Sequence, residues 1–286
     1  MNDHYTAARH PFWARPPKWL AAAAVTALVA NTFVVAVVNY YIYWARARFI
    51  ATHPDYVAQY PPTISRALSD PLIGEPFAFW ISLSAGILFV GVCVVAGLSL
   101  LAARHLKDVS PATARTMAAA ACTAIVLQIG ASAGMVVLSQ YRMGVDNDMH
   151  MVGSYLFFFS QGFVVLSGLL ISTSILRNEE VHPVLHATAL VHLPAARMRR
   201  TVGKISAVLA LSYLVLFVVK DITLPLGNAA VYQAYVWTEP AVISSFLLFV
   251  SIFHLDLVMV LRRYRAAACA APDATAAPAD ASLLRH

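Results

Sequence analysis

The residues best suited to chemistry crowd into one short stretch, Gln140-Tyr141-Arg142-Met143-Gly144-Val145-Asp146-Asn147-Asp148-Met149-His150. Two carboxylates and an imidazole at two-residue spacing, Asp146, Asp148 and His150, can hold a divalent cation or orient the imidazole as a base. The same pattern has a plainer meaning, because an aspartate ahead of a helix is an ordinary N-cap and a histidine at a membrane surface is an ordinary rim residue. The triplet Met149-His150-Met151 offers soft ligands for copper. One triplet does not make a site, however, and Cys93, Cys122 and Cys269 lack metal-type spacing. No metal and no cofactor is assigned. Ser65, Ser139, Lys220, Asp221, Trp237 and Glu239 are the other polar or aromatic residues that can join His150. His254 and Asp256 stand apart in the last apolar stretch. They are either paired or reach the inner interface, and His254 is too far from His150 to share a haem iron.

What must position these residues is a set of apolar stretches: Trp19 to Trp44, Phe77 to Ala103, Thr116 to Gln140, Met149 to Leu176, Val202 to Leu224 and Trp237 to Leu261. A helix rises about 1.5 Å per residue, so roughly 20 residues cross a hydrocarbon core about 30 Å thick. Each stretch is long enough. The fifth carries Lys204 near one end and Lys220 and Asp221 near the other, and a terminal lysine can extend its ammonium to the interface. The first apolar run exceeds the 7 to 15 residues of a secretory h-region and reads as an uncleaved anchor. The predicted fold is all-α, a polytopic bundle of six transmembrane helices. Residues 1–18 form a cytoplasmic N-terminal segment, 19–263 the membrane domain, and 264–286 a disordered cytoplasmic tail rich in alanine and proline.

Charge sets the orientation, because lysine and arginine are retained on the cytoplasmic side. With the N-terminus inside, 15 of the 20 basic residues fall on the inner face; only Arg46, Arg48, Arg66, Arg142 and Lys220 fall outside. The 14 acidic residues divide equally, which makes the inner face strongly positive and the outer face slightly negative. The net charge of +6 is therefore topological, and no basic patch remains for a nucleic acid. Composition agrees: 60% hydrophobic and 12% charged residues leave no room for a soluble domain, which carries about 25% charged residues. In a bacterium such a chain belongs to the inner membrane, and in a eukaryote to an endomembrane or the plasma membrane.

The first outer loop, from about Ala45 to Pro76, is long for a connection, and long loops are often lids or binding elements. Its rigid core, Tyr60-Pro61-Pro62-Thr63-Ile64-Ser65, is either such a lid or a passive cap. In the last outer segment, Trp237 suits the aromatic belt, and Glu239-Pro240 suits the first turn of helix six. Gly130, Ala133 and Gly134 would let helix three approach a neighbour closely.

Four landmarks recur in order. Pro62-Thr63-Ile64-Ser65 with Asp70-Pro71 follows the first span, and the third span carries Gly130 and Gly134 and ends in Gln140. His150 then opens the fourth span with Gly153, Tyr155 and Phe157 to Phe159, and Trp237 enters a last span punctuated by Phe246, Phe249 and Phe253. In these features the chain, from about Trp19 to Arg263, resembles the Frag/DRAM/Sfk group of six-span membrane proteins. That group includes the damage-regulated autophagy modulators and proteins that act in remodelling of glycosylphosphatidylinositol anchors. It departs from them at Val236, where an acidic residue often precedes the tryptophan, and in the long, histidine-bearing loop from Arg177 to Thr201.

The resemblance implies a lipid-linked role without an established catalytic motif. The residues permit one: an outer-leaflet headgroup pocket formed by Gln140, Asp148, His150, Lys220, Trp237 and Glu239, lidded by Pro62, Thr63, Ile64 and Ser65. The expectation is a non-catalytic protein that binds, organises or assists remodelling of a membrane lipid. The sequence leaves the oligomeric state and any membrane-protein partner open. The first alternative is an intramembrane hydrolase or acyltransferase using His150 with Asp146 or Asp148 and Ser65 or Ser139 as nucleophile, although HExxH is absent and the one GxSxG match, Gly130-Ala131-Ser132-Ala133-Gly134, lies inside the third apolar stretch rather than at a strand-to-helix turn. The second is a small-solute transporter, against which stand the lack of internal repeats, of proline-broken spans and of buried charge pairs within the spans.

Overall fold

The computed structural model describes Phe12, residues 17–220, Ile222 and residues 228–270. Asp221, Thr223 and Leu224 at the end of the fifth predicted span lie outside the described residues, as does most of the terminal segments. Among the described residues six helices are long and apolar enough to cross a membrane, and the chain is a multi-pass integral membrane protein. They are α1 (Lys18–Thr52), α4 (Pro71–His105), α5 (Pro111–Gln140), α6 (Asn147–Arg177), α8 (Leu193–Val219) and α9 (Asn228–Ala270). Shorter helices fill the connections: α2 (Pro54–Val57) and α3 (Ile64–Ala67) between α1 and α4, and a 3-10 turn (Glu179–Val181) with α7 (His182–Thr188) between α6 and α8. The two ends of the bundle are called outer and inner here after the sides that the charge distribution predicts.

Each long helix packs mainly on its sequence neighbours, α1 on α4, α4 on α5, α5 on α6, α6 on α8 and α8 on α9, and α9 returns to α1. The result is a closed up-and-down ring. Its outward faces are apolar, with Val126, Val208 and Val215 more than half exposed, as a lipid-facing surface requires. Its inward faces carry small and aliphatic residues such as Ala24, Ala27, Ala121, Val164 and Val250. The tightest seam joins α5 and α6. A side-chain carbon added at Gly134 would run into the backbone of Phe157, and one added at Gly153 into the backbone of Leu138, so these glycines set the separation of the two helices.

The helices are longer than the apolar stretches, and this corrects several expectations. α1 continues past Trp44 because Ile42, Ala45 and Phe49 keep helical spacing and are buried. At 35 residues and about 1.5 Å each it is on the order of 50 Å long, well beyond the hydrocarbon core. The outer connection between α1 and α4 is therefore shorter than the loop read from Ala45 to Pro76. α9 begins at Asn228, so Glu239 and Pro240 lie inside the helix rather than in its first turn. At the inner end α9 runs on to Ala270.

The spans also contain a buried ion pair, contrary to expectation. Arg199, placed in a loop by its charge, lies in α8, where it is 2% exposed. Its Nη1 pairs with Oδ2 of Asp256 on α9, its Nε donates to Ser172 Oγ of α6 at 3.2 Å, and its guanidinium lies over Phe253. The other Asp256 oxygen accepts the His192 N–H at 2.6 Å. A charge pair so fully hydrogen-bonded can sit among apolar helices, and it ties α6, α8 and α9 together near the inner end. His254, two residues before Asp256, has no hydrogen-bond partner at Nε2 among the described residues.

Candidate functional site

At the outer end, four parts of the chain that are distant in sequence meet in one polar cluster. The loop core is shaped locally first. Thr63 caps α3, its side-chain oxygen accepting the Arg66 N–H at 2.9 Å, which sets Ile64 and Ser65 in the opening turn. This segment is then fastened to the bundle at three successive points. Arg46, buried on α1, donates from Nε to the Pro62 carbonyl at 3.2 Å. Glu239 Oε2 accepts the Ile64 N–H at 2.8 Å. The Ser65 hydroxyl lies 3.0 Å from His150 Nε2 and 3.4 Å from Glu239 Oε1.

His150 owes its place to the turn between α5 and α6. Gly144 adopts a φ of 88°, a left-handed conformation that glycine takes without strain, and its N–H donates to Asn147 Oδ1 at 2.9 Å. Asp146 then caps α6, its Oδ1 accepting the Met149 N–H at 3.0 Å. The imidazole folds back over the end of α5, with Nδ1 at 3.0 Å from the carbonyls of both Leu138 and Tyr141. Carbonyls only accept, so Nδ1 must carry a proton. In the neutral imidazole, Nε2 is then an acceptor, and the Ser65 hydroxyl donates a hydrogen bond to it. In the imidazolium, Nε2–H donates to Ser65 Oγ, and the hydroxyl is released to donate to Glu239. The serine has one proton and two acceptors, so its direction follows the charge of the ring.

His150 and Glu239 are 2% and 3% exposed, whereas Ser65 is half-buried and reachable from outside. Glu239 is electrostatically coupled to Arg46 across the loop, and Arg46 lies over the ring of Trp237, 4.5 Å from its centroid. Trp237 itself is 61% exposed at the edge of the cluster. Aromatic rings surround the lid: Arg66 lies over Tyr56, and the Tyr60 ring meets Tyr232 of α9 edge-on.

The structure thus brings together His150, Glu239, Trp237 and the segment Pro62 to Ser65. The remaining expected pocket residues have other partners. Gln140 is exposed and donates to Ser82 Oγ of α4 at 2.9 Å, Asp148 is exposed in the first turn of α6, and the Lys220 ammonium lies over Phe217 and Tyr235. Asp146 is spent on its cap. Ser139, the other nucleophile considered, is buried against the Val136 carbonyl and Ser82. Among the described residues no three His, Cys, Asp or Glu side chains converge as a metal site would require. Arg46 is the residue that sequence reasoning missed. Its signal was the continuing helical spacing of Ile42, Ala45 and Phe49, which placed it on a buried face.

Comparison of the chain with protein-family models, curated proteins and solved structures gives no match.

Proposed function

We propose that this membrane protein binds a lipid at its outer end, with the headgroup taken by the Ser65, His150 and Glu239 cluster beneath the lid segment. The observation that carries the reading is the fastening of the lid: Pro62, Ile64 and Ser65 are held by buried charged or ionisable groups on three different spans. Burying Arg46, His150 and Glu239 is costly, and such groups inside membrane bundles usually serve a ligand or a switch. Half-buried Ser65 offers a hydroxyl to a phosphate or polyol, and displacement of the lid would free two further hydrogen-bonding groups, Glu239 Oε2 and Arg46 Nε. The resemblance to the Frag/DRAM/Sfk group, with its lipid-linked roles, points the same way. The test is native mass spectrometry with lipidomics of the purified chain. Wild type is expected to retain a defined lipid that His150→Ala and Glu239→Ala lose. Absence of any selectively retained lipid refutes the proposal.

One observation favours a second reading, acyl transfer or hydrolysis at a lipid ester. The Ser65 hydroxyl meets an imidazole whose opposite nitrogen is held by carbonyls, which is the arrangement of a nucleophile with an oriented base. In that chemistry Ser65 Oγ bonds to the ester carbonyl carbon while its proton passes to His150 Nε2. The C–O bond to the alcohol then breaks, the alkoxide recovers that proton, and water or an acceptor hydroxyl releases the acyl group from Ser65. A fluorophosphonate probe distinguishes the two readings. Labelling of Ser65 that falls in His150→Ala supports catalysis, and an unlabelled Ser65 in a chain that still retains lipid leaves binding alone.

A further inference from the structure

A second site, at the opposite end of the bundle, has the shape and charge for a different ligand. Between the inner end of α4 and the start of α5 lies a cavity of about 450 Å³, lined by Leu100, Ala103, Arg104, Lys107, Pro111, Ala114, Arg115 and Ala118. Its wall is divided. Leu100, Ala103, Ala114 and Ala118 form the apolar part, toward the middle of the bundle; Arg104, Lys107 and Arg115 form the rim. All three cations are exposed, and among the described residues none of them forms an ion pair. Asp108, the nearest acid in sequence, is exposed, and the cavity is lined without it.

We infer that this cavity binds the headgroup of an anionic phospholipid. Three uncompensated cations around one opening match a phosphodiester bearing further negative charge, and they stand where the two spans leave the hydrocarbon layer. The headgroup is placed at the rim by these cations, and the chains follow the lipid-facing side of α5, where Cys122 and Val126 are exposed one and two turns farther in. Basic pockets between spans on the cytoplasmic side are suited to such headgroups, and each cation near the surface strengthens binding roughly fivefold. General positive charge at the inner end does not explain the arrangement. Arg177, Arg262 and Arg265 are exposed at the same end, yet they do not line the cavity.

The test uses the full chain in detergent, titrated with phosphatidylglycerol or phosphatidylcholine and followed by native mass spectrometry. Wild type is expected to prefer phosphatidylglycerol. The triple variant Arg104→Gln, Lys107→Gln and Arg115→Gln is expected to lose that preference, on the order of 100-fold in affinity. The equally charge-reduced variant Arg177→Gln, Arg262→Gln and Arg265→Gln is expected to keep it. Ala118→Phe, which fills the cavity without changing charge, is expected to weaken binding and so tests the site if the triple variant does not fold. Equal loss in the two triple variants would mean diffuse surface charge and would overturn the inference. So would unchanged binding in Ala118→Phe. Competition by inorganic phosphate at equal concentration would identify a free-anion site instead of a lipid site.

Discussion

Glu239→Ala is the most direct probe of the outer cluster, because it removes the side chain that accepts the Ile64 N–H of the lid and also lies within reach of Ser65. Glu239 Oε2 accepts the Ile64 N–H at 2.8 Å in a site where Ile64 is 4% exposed, so no water is at hand to replace it. A hydrogen bond to a charged acceptor contributes about 1.5 to 3 kcal/mol, and a buried donor left unpaired costs a similar amount. Opening of the lid should therefore become easier by roughly 10- to 150-fold. The assay is hydrogen exchange of peptides spanning residues 60–70 in the detergent-solubilised chain. Faster exchange by that factor is expected in Glu239→Ala. Glu239→Gln keeps an acceptor for Ile64 but loses the charge coupled to Arg46, and should fall between that variant and wild type. Protection that is unchanged in Glu239→Ala would refute the reasoning, since the Glu239 bond would then contribute nothing to holding the lid.

The inner pair makes a contrasting prediction. Arg199→Met or Asp256→Leu alone strands a buried charge and should cost about 3 to 5 kcal/mol, whereas the two together should recover most of that loss; a thermal-unfolding double-mutant cycle reads the difference. Asp146→Ala removes the cap of α6 and should lower stability by about 0.5 to 2 kcal/mol, while Asp148→Ala, at an exposed position, should stay within about 0.5 kcal/mol of wild type. Gly134→Ala forces α5 away from Phe157 and should cost about 1 to 3 kcal/mol by denaturant or thermal unfolding. Asn31 is fully buried with neither side-chain polar atom hydrogen-bonded among the described residues, beside a cavity of about 40 Å³. Asn31→Leu should accordingly be neutral or raise the unfolding temperature, and a large fall would show that the amide has an essential partner.

Much of this molecule follows from local pattern. Six apolar stretches long enough to span were legible because lipid demands continuous apolar helix, a constraint that needs no knowledge of tertiary contacts. The cap at Asp146 and the close seam at Gly134 were legible for the same reason, since each depends on the residue type and its immediate neighbours. His150, Glu239 and the segment Pro62 to Ser65 could be nominated as polar groups of one predicted end. Tertiary structure alone decided which of them meet. Ser65 lies 85 residues from His150 and 174 from Glu239, and periodicity carries no information about contacts at that range. It also decided the setting of the charges. Arg46 and Arg199 read as loop residues because an isolated arginine in lipid is prohibitive, and only the Pro62 carbonyl and Trp237 for one, and Asp256 and Ser172 for the other, make burial possible. A sequence displays the cost of a buried charge, whereas its compensation comes from partners that only the folded ring brings within reach.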